Sequence, residues 1–252
     1  MEKLSTERFS DRVDNYVRYR PGYPKGVMDL LRNDCGLRAE HAVADIASGT
    51  GIFSRVLLEN GNRVIAVEPN AKMRAASSHL QQAFPLLKVM SGTAERTELP
   101  DDSVDFITVA QAAHWLEPAK ARQEFERILK PRGWCVLIWN ERLSKGSAFL
   151  EEYEMLLQNY CPEYKDKRHG QTSRIAQEFF PEGYRERIFA NNQQFDHEGL
   201  MGRLLSSSYC PLQGDPNYRP MLRELERMFR AHAENNEVQF KYETRVYFQQ
   251  LG

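Results

Sequence analysis

The sequence predicts an α/β protein, a doubly wound mixed sheet of seven strands with an inserted helical cap. Three observations carry that expectation. Short runs rich in Val, Ile and Leu alternate with stretches of helical periodicity, a glycine-containing turn follows the first run, and the rhythm changes after Asn140. Strands that are apolar on both faces belong to a parallel sheet covered by helices on either side.

The elements follow in order. Val43–Ile46 is a strand, residues 53–60 a helix and Arg63–Val67 a second strand, together one strand–helix–strand unit. A helix over 71–83, strands at Leu86–Met90 and Val104–Val109, a helix over 118–129 and a strand at Trp134–Trp139 repeat the theme. Gly61 and Pro131-Arg132-Gly133 sit where the preceding helices should stop. Beyond Asn140, residues 145–180 and 197–234 are helical in pattern, with Leu222, Leu225 and Phe229 on one face. Residues 185–195 and Val238–Phe248 alternate polar and apolar, which predicts an antiparallel pair at the sheet edge. The chain then divides into an N-terminal lid and first helix (1–39), a ligand-binding core (40–142), a helical cap contributing to an acceptor site (143–183), and the remaining strands with their helices (184–252).

Composition narrows the function. A chain of 252 residues suffices for one large domain or a core plus a small cap. With 34 Lys and Arg against 35 Asp and Glu, it carries no basic field for nucleic acid. A mean hydropathy of −0.62 and the lack of a long apolar run predict a soluble protein without a membrane partner. The charged opening, residues 1–9, lacks the apolar stretch of a secretory signal, so the expected address is the cytoplasm. Cys35, Cys135, Cys161 and Cys210 lie far apart, which predicts buried hydrophobes and neither a disulfide framework nor a metal site.

The chemistry concentrates at Asp45-Ile-Ala-Ser-Gly-Thr-Gly51, where a strand runs into a glycine turn that opens a helix. Gly49 and Gly51 let a ligand approach bare backbone, and the helix N-terminus offers free amide donors. Glu68 closes the second strand, placed to accept hydrogen bonds from both hydroxyls of a ribose. Two enzyme readings compete here, an NAD(P)-dependent oxidoreductase and an enzyme that uses S-adenosylmethionine. The dinucleotide fingerprint needs a third glycine, and Ile52 and Ser54 occupy its positions. A pyrophosphate also disfavours the Asp45 carboxylate, whereas an ammonium and a sulfonium favour it. A non-catalytic protein that keeps the cofactor pocket is the third reading.

Asp45–Gly51, Glu68-Pro-Asn70, Gly92-Thr-Ala-Glu95 and Leu99–Phe106 resemble, in order, the motifs of the class I S-adenosylmethionine-dependent methyltransferases. Tyr16–Pro24, Ala110–Trp115 and Trp139–Arg142 are similar to the small-molecule branch that includes trans-aconitate-type enzymes. The resemblance implies a Rossmann-like sheet with one antiparallel strand, S-adenosylmethionine as cofactor, S-adenosylhomocysteine as product, and no metal. It implies a small-molecule methyl acceptor as partner, with a carboxylate or hydroxyl oxygen preferred. It also implies that Ala47, Gly49 and Gly51 line the methionine and ribose part, Glu68 and Pro69 the ribose, Thr93, Ala94 and Glu95 the adenine, and Gln111 the methionine chain.

Two positions depart from the family pattern: Ala47 replaces a usual glycine, which requires a negative φ there, and Thr93 replaces a common aspartate. In the N-terminal cluster, Tyr16 and Arg20 are expected to reach the cofactor carboxylate and Tyr19 and Tyr23 the acceptor. His114 is the candidate proton acceptor and Trp115 an apolar wall. Arg142 is the first candidate for an acceptor carboxylate, with Arg168, His169, Arg174, Arg203 and Tyr209 as further ones.

Overall fold

A computed structural model describes residues 13–167 and 171–251. Seven strands form one sheet: β1 (Ala42–Ile46), β2 (Arg63–Val67), β3 (Leu87–Met90), β4 (Val104–Ala110), β5 (Leu129–Arg142), β6 (Arg185–Phe195) and β7 (Val238–Leu251). Their order is β3-β2-β1-β4-β5-β7-β6. Only β7 runs against the rest, antiparallel to both β5 and β6. The expected pair forms, with β6 at the edge and β7 inside the sheet.

Residue alternation explains the two-sided burial. Ala42, Ala44 and Ile46 of β1 and Cys135, Leu137 and Trp139 of β5 face one way. There they pack on Ala121, Phe125 and Ile128 of α5 (Pro118–Ile128) and on Ile175, Ala176 and Phe179 of α7 (Thr172–Phe179). Val43, Val64, Phe106, Val136 and Ile138 face the other way, onto α2 (Lys25–Asn33) and α3 (Ile52–Glu59). Every residue of β1 is buried, as a central parallel strand requires. All four cysteines are buried free thiols.

A third apolar cluster lies beyond the sheet edge. It joins α6 (Ala148–Tyr160), α8 (His197–Leu205) and α9 (Tyr218–His232) with Phe195, Val238, Phe240 and Tyr242 from the ends of β6 and β7. Residues from both sides of position 184 build this cap, while α7 packs on the sheet. Among the described residues, no helix is long and apolar enough to cross a membrane.

The segment Tyr16–Tyr23, beginning in α1 (Val13–Tyr19), is strapped across the carboxyl ends of the strands. Gly22 O accepts the side-chain amides of Asn140 and Asn191, and Arg20 donates to Ser206 O. The Tyr19 ring sits on Gly202 of α8, where an added Cβ would lie 2.0 Å from Cε2. Gly202→Ala is therefore expected to lift α1 off α8 and to speed tryptic cleavage at Arg18 in limited proteolysis, with the sheet intact by circular dichroism. An unchanged cleavage rate would show that the contact does not hold the strap.

Candidate active site

The carboxyl ends of β1, β2 and β4 surround a cavity of about 310 Å³. After Ile46 the backbone turns through Ala47, Gly49 and Gly51 at φ of 52°, 59° and 84°. The Ser48 N–H donates to Val67 O at 3.2 Å, pinning the turn to β2. Glu68, buried one residue past β2, binds both neighbouring loops. Its Oε2 accepts the Gly49 N–H and its Oε1 the Asn70 N–H, each at 2.8 Å. Each oxygen keeps accepting capacity for a second donor. Burial pushes the Glu68 carboxyl above its ordinary range, against the pull of those two amides and of Arg74.

Three expectations at this turn need correction. Ala47 has a positive φ of 52°, not the negative value its Cβ favours, at a cost of about 1 kcal/mol. The turn tolerates it because the strand before it and the Ser48 amide bond after it fix the path. Asp45 does not face the cavity: it is fully buried, its oxygens accepting the hydroxyls of Ser54 at 2.5 Å and Thr108 at 2.8 Å. It ties β1 to α3 and β4 from beneath. Gly51 likewise lies behind the wall, since a Cβ there would stand 2.7 Å from Leu80 Cδ1.

Pro69, Thr93, Ala94, Glu95, Gln111 and Trp115 line the cavity, as do Tyr16, Arg20 and Tyr23 of the strap. Glu95 Oε1 accepts the Glu117 N–H at 3.0 Å, joining two loops into one wall. Gln111 is a second non-glycine residue in the left-handed region, at φ 65°, held by its N–H bond to Ile138 O at 2.8 Å. Tyr23 meets Phe53 edge-on at 4.8 Å, and burial raises its hydroxyl well above the ordinary value.

Other candidates fall outside the cavity. In the 3₁₀ turn Ala113–Trp115, Trp115 lines the wall while His114, one residue earlier, is exposed beside its ring. The structure therefore does not bring His114 to the cavity wall where the sequence expects it. Tyr19 packs on α8 and hydrogen-bonds Glu198 at 3.5 Å, so it fastens the strap instead of touching an acceptor. Arg142 is buried in the cap, where Glu154 and Tyr164 take its guanidinium and the Tyr153 ring lies beneath it. Arg174 is exposed and pairs with Glu178. Arg168 and His169 lie outside the described residues. Of the arginines proposed for the acceptor, Arg203 lines the cavity.

Ser48, Thr50, Asn70, Met73 and Asn140 also line it and were not singled out from the sequence. Asn70 has a readable signal, because its side chain caps α4 (Ala71–Ser78) by accepting the Met73 N–H at 3.0 Å. Ser48 Oγ, Thr50 Oγ1 and Arg20 Nε are shielded from solvent with no hydrogen-bond partner among the described residues. Orphaned polar atoms on a cavity wall await a ligand.

Sheet order, glycine turn and acidic β2 end together define a Rossmann-like fold with a ligand cavity at the carboxyl edge of its sheet. Residues 44–137 match the family model described as a methyltransferase domain. An uncharacterized methyltransferase of Mycobacterium tuberculosis is 40% identical over 134 residues, 53% of this chain and 52% of that one. The chain thus spans about half the length of the first curated relatives it matches. The crystal structure of YcgJ from Bacillus subtilis superposes with a TM-score of 0.58 at 20% identity, covering 91% of this chain and 100% of that one. A Haemonchus contortus phosphoethanolamine N-methyltransferase solved with S-adenosylhomocysteine gives 0.57 at 14% identity, covering 98% of this chain and 58% of that one. These matches give residues 44–137 the signature of a methyltransferase domain and the chain a fold shared with solved methyltransferases.

Burial, against the hydroxyls of Ser54 and Thr108, lifts the Asp45 carboxyl to about 6. The native state then holds a proton that the unfolded chain releases near pH 4, so this group's contribution to stability falls as pH rises from about 4 to 6 and is flat above. Relative to Asp45→Asn, the natural protein should lose of order 2–3 kcal/mol across that window in urea unfolding. A pH-independent difference would mean that Asp45 titrates normally.

Proposed function

We propose that this protein transfers a methyl group from S-adenosylmethionine to a small organic acceptor in the cytoplasm, with a carboxylate oxygen as the preferred nucleophile. The observation that carries the reading is the Glu68 carboxylate, fixed by the Gly49 and Asn70 amides with a free accepting face on the cavity.

The wall fits that cofactor group by group. Glu68 accepts the two ribose hydroxyls, and Met73, Ala94 and Leu116 supply apolar surface for adenine. The orphaned hydroxyls of Ser48 and Thr50 and the Gly49 backbone meet the polar methionine part. Arg20, with its unpartnered Nε, donates to the cofactor carboxylate. Asp45 lies beneath the turn as a negative charge that favours a cation above it once ionised.

When bound, the cofactor supplies an electrophilic methyl group on a sulfonium. The chain's own part is to exclude water and align the acceptor. Trp115 and Tyr23 provide the apolar closure. Among the described residues no histidine lines the cavity, and the buried Tyr23 hydroxyl stays protonated at neutral pH. The carboxylates on the wall are already engaged, Glu68 and Glu95 by loop amides and Glu117 by Lys120, which suits a nucleophile that is already ionised and supports a carboxylate over a neutral hydroxyl.

In calorimetric titration, Glu68→Ala should weaken S-adenosylhomocysteine binding by roughly 30-fold or more, the loss of two charge-assisted hydrogen bonds. Unchanged affinity, or NADH binding as tightly as the adenosyl ligand, would overturn the cofactor assignment. His114→Ala should leave methyl-transfer turnover within about twofold of the natural protein, as an exposed side chain outside the cavity implies. A large loss of turnover would return His114 to the site.

A further inference from the structure

Two arginines line this cavity, and only one cofactor carboxylate is available to them. Arg203 reaches the wall from α8 and is 6% exposed. Its Nε donates to the Tyr242 hydroxyl at 3.0 Å and its Nη1 to Ser207 Oγ at 3.1 Å. The guanidinium carries five N–H donors, so three remain unused among the described residues. The Phe240 and Tyr242 rings back it at 5.5 and 5.9 Å. Among the described residues, the groups that act on it most are the hydroxyls of Tyr153, Tyr209 and Tyr242 and the neighbouring Arg20 cation, and no ion pair with a carboxylate forms there. A buried cation without an anion is costly, and a second cation beside it adds to that cost.

Loading the cofactor does not give Arg203 an anionic partner. S-adenosylmethionine brings an ammonium and a sulfonium with its single carboxylate and is itself a net cation. With the cofactor carboxylate on Arg20, the open N–H donors of Arg203, which the cap supplies, are left for a second anionic group.

We infer that Arg203 selects the methyl acceptor, and that the acceptor carries a carboxylate held by the free N–H face of Arg203. The inference rests on the methyltransferase reading above and goes beyond it by assigning specificity to one residue of the cap. It also explains the backing: rings and hydroxyls hold the guanidinium plane while leaving its donors open.

The test uses the full chain saturated with S-adenosylhomocysteine, titrated calorimetrically with acetate, malonate and benzoate and with their neutral amides. At least one acid should bind saturably while its amide does not. Arg203→Met, which keeps volume without charge, should weaken that acid by about tenfold or more, and Arg203→Lys should restore part of the loss. S-adenosylhomocysteine affinity should stay within about twofold in both variants, which also reports that the site is folded. No binding by any acid, amides binding as well as acids, or anion binding that survives Arg203→Met would each overturn the inference. Failure of the first ligand to bind the natural protein would instead overturn the methyltransferase reading. If Arg203→Met alone loses that ligand, Arg203 serves the cofactor and the inference fails.

Discussion

The site depends on a single carboxylate. Glu68 stands where β2 ends, and its two oxygens accept one amide from the turn after β1 and one from the loop that starts α4. Two loops separate in sequence are thereby held at a fixed spacing on one carboxyl edge of the sheet. The same group offers a ligand its remaining lone pairs, so the bonds that shape the cavity also orient its most specific contact. That coupling explains why a buried acid is retained even though burial pushes its carboxyl upward.

Around this anchor, strain and burial are concentrated on one rim. Ala47 and Gln111, at the ends of β1 and β4, both adopt left-handed backbone that non-glycine residues disfavour. Asp45 lies under the same rim with its oxygens taken by two hydroxyls. The opposite side of the cavity has a different origin: a strap from the N-terminus and a helix from the cap, joined by Tyr19 on Gly202 and by Arg20 on Ser206. On the proposed function, a floor that takes the cofactor therefore faces a docked roof that takes the acceptor. Variation in the roof can change specificity without disturbing the floor.

This division also governs what the sequence reveals. The strands are legible because Val43–Ile46 and Val104–Val109 place apolar residues on both faces, broken only by Asp45, Asp105 and Thr108, a pattern that two-sided burial favours. The floor is legible because it is local: the glycine turn, Glu68 and Thr93–Glu95 sit at strand ends that those runs already mark. The roof is not, because Arg20 and Arg203 meet through the fold from opposite parts of the chain. Arg142 and Arg203 are alike in one dimension, yet Glu154 and Tyr164 close the first and leave the second open. His114 and Trp115 differ by one residue in a 3₁₀ turn, and that phase decides which of them enters the cavity. The sign of φ at Ala47 is set by the Ser48 bond to β2, a tertiary contact that composition does not encode.

The most direct test of the account is a crystal structure of the protein with S-adenosylhomocysteine. Both ribose hydroxyls should lie within hydrogen-bonding distance of the Glu68 oxygens, with the Gly49 and Asn70 amides still bound to the same carboxylate and the ligand carboxylate on Arg20. A ribose held elsewhere, or a Glu68 side chain that leaves the two amides to make room, would contradict it.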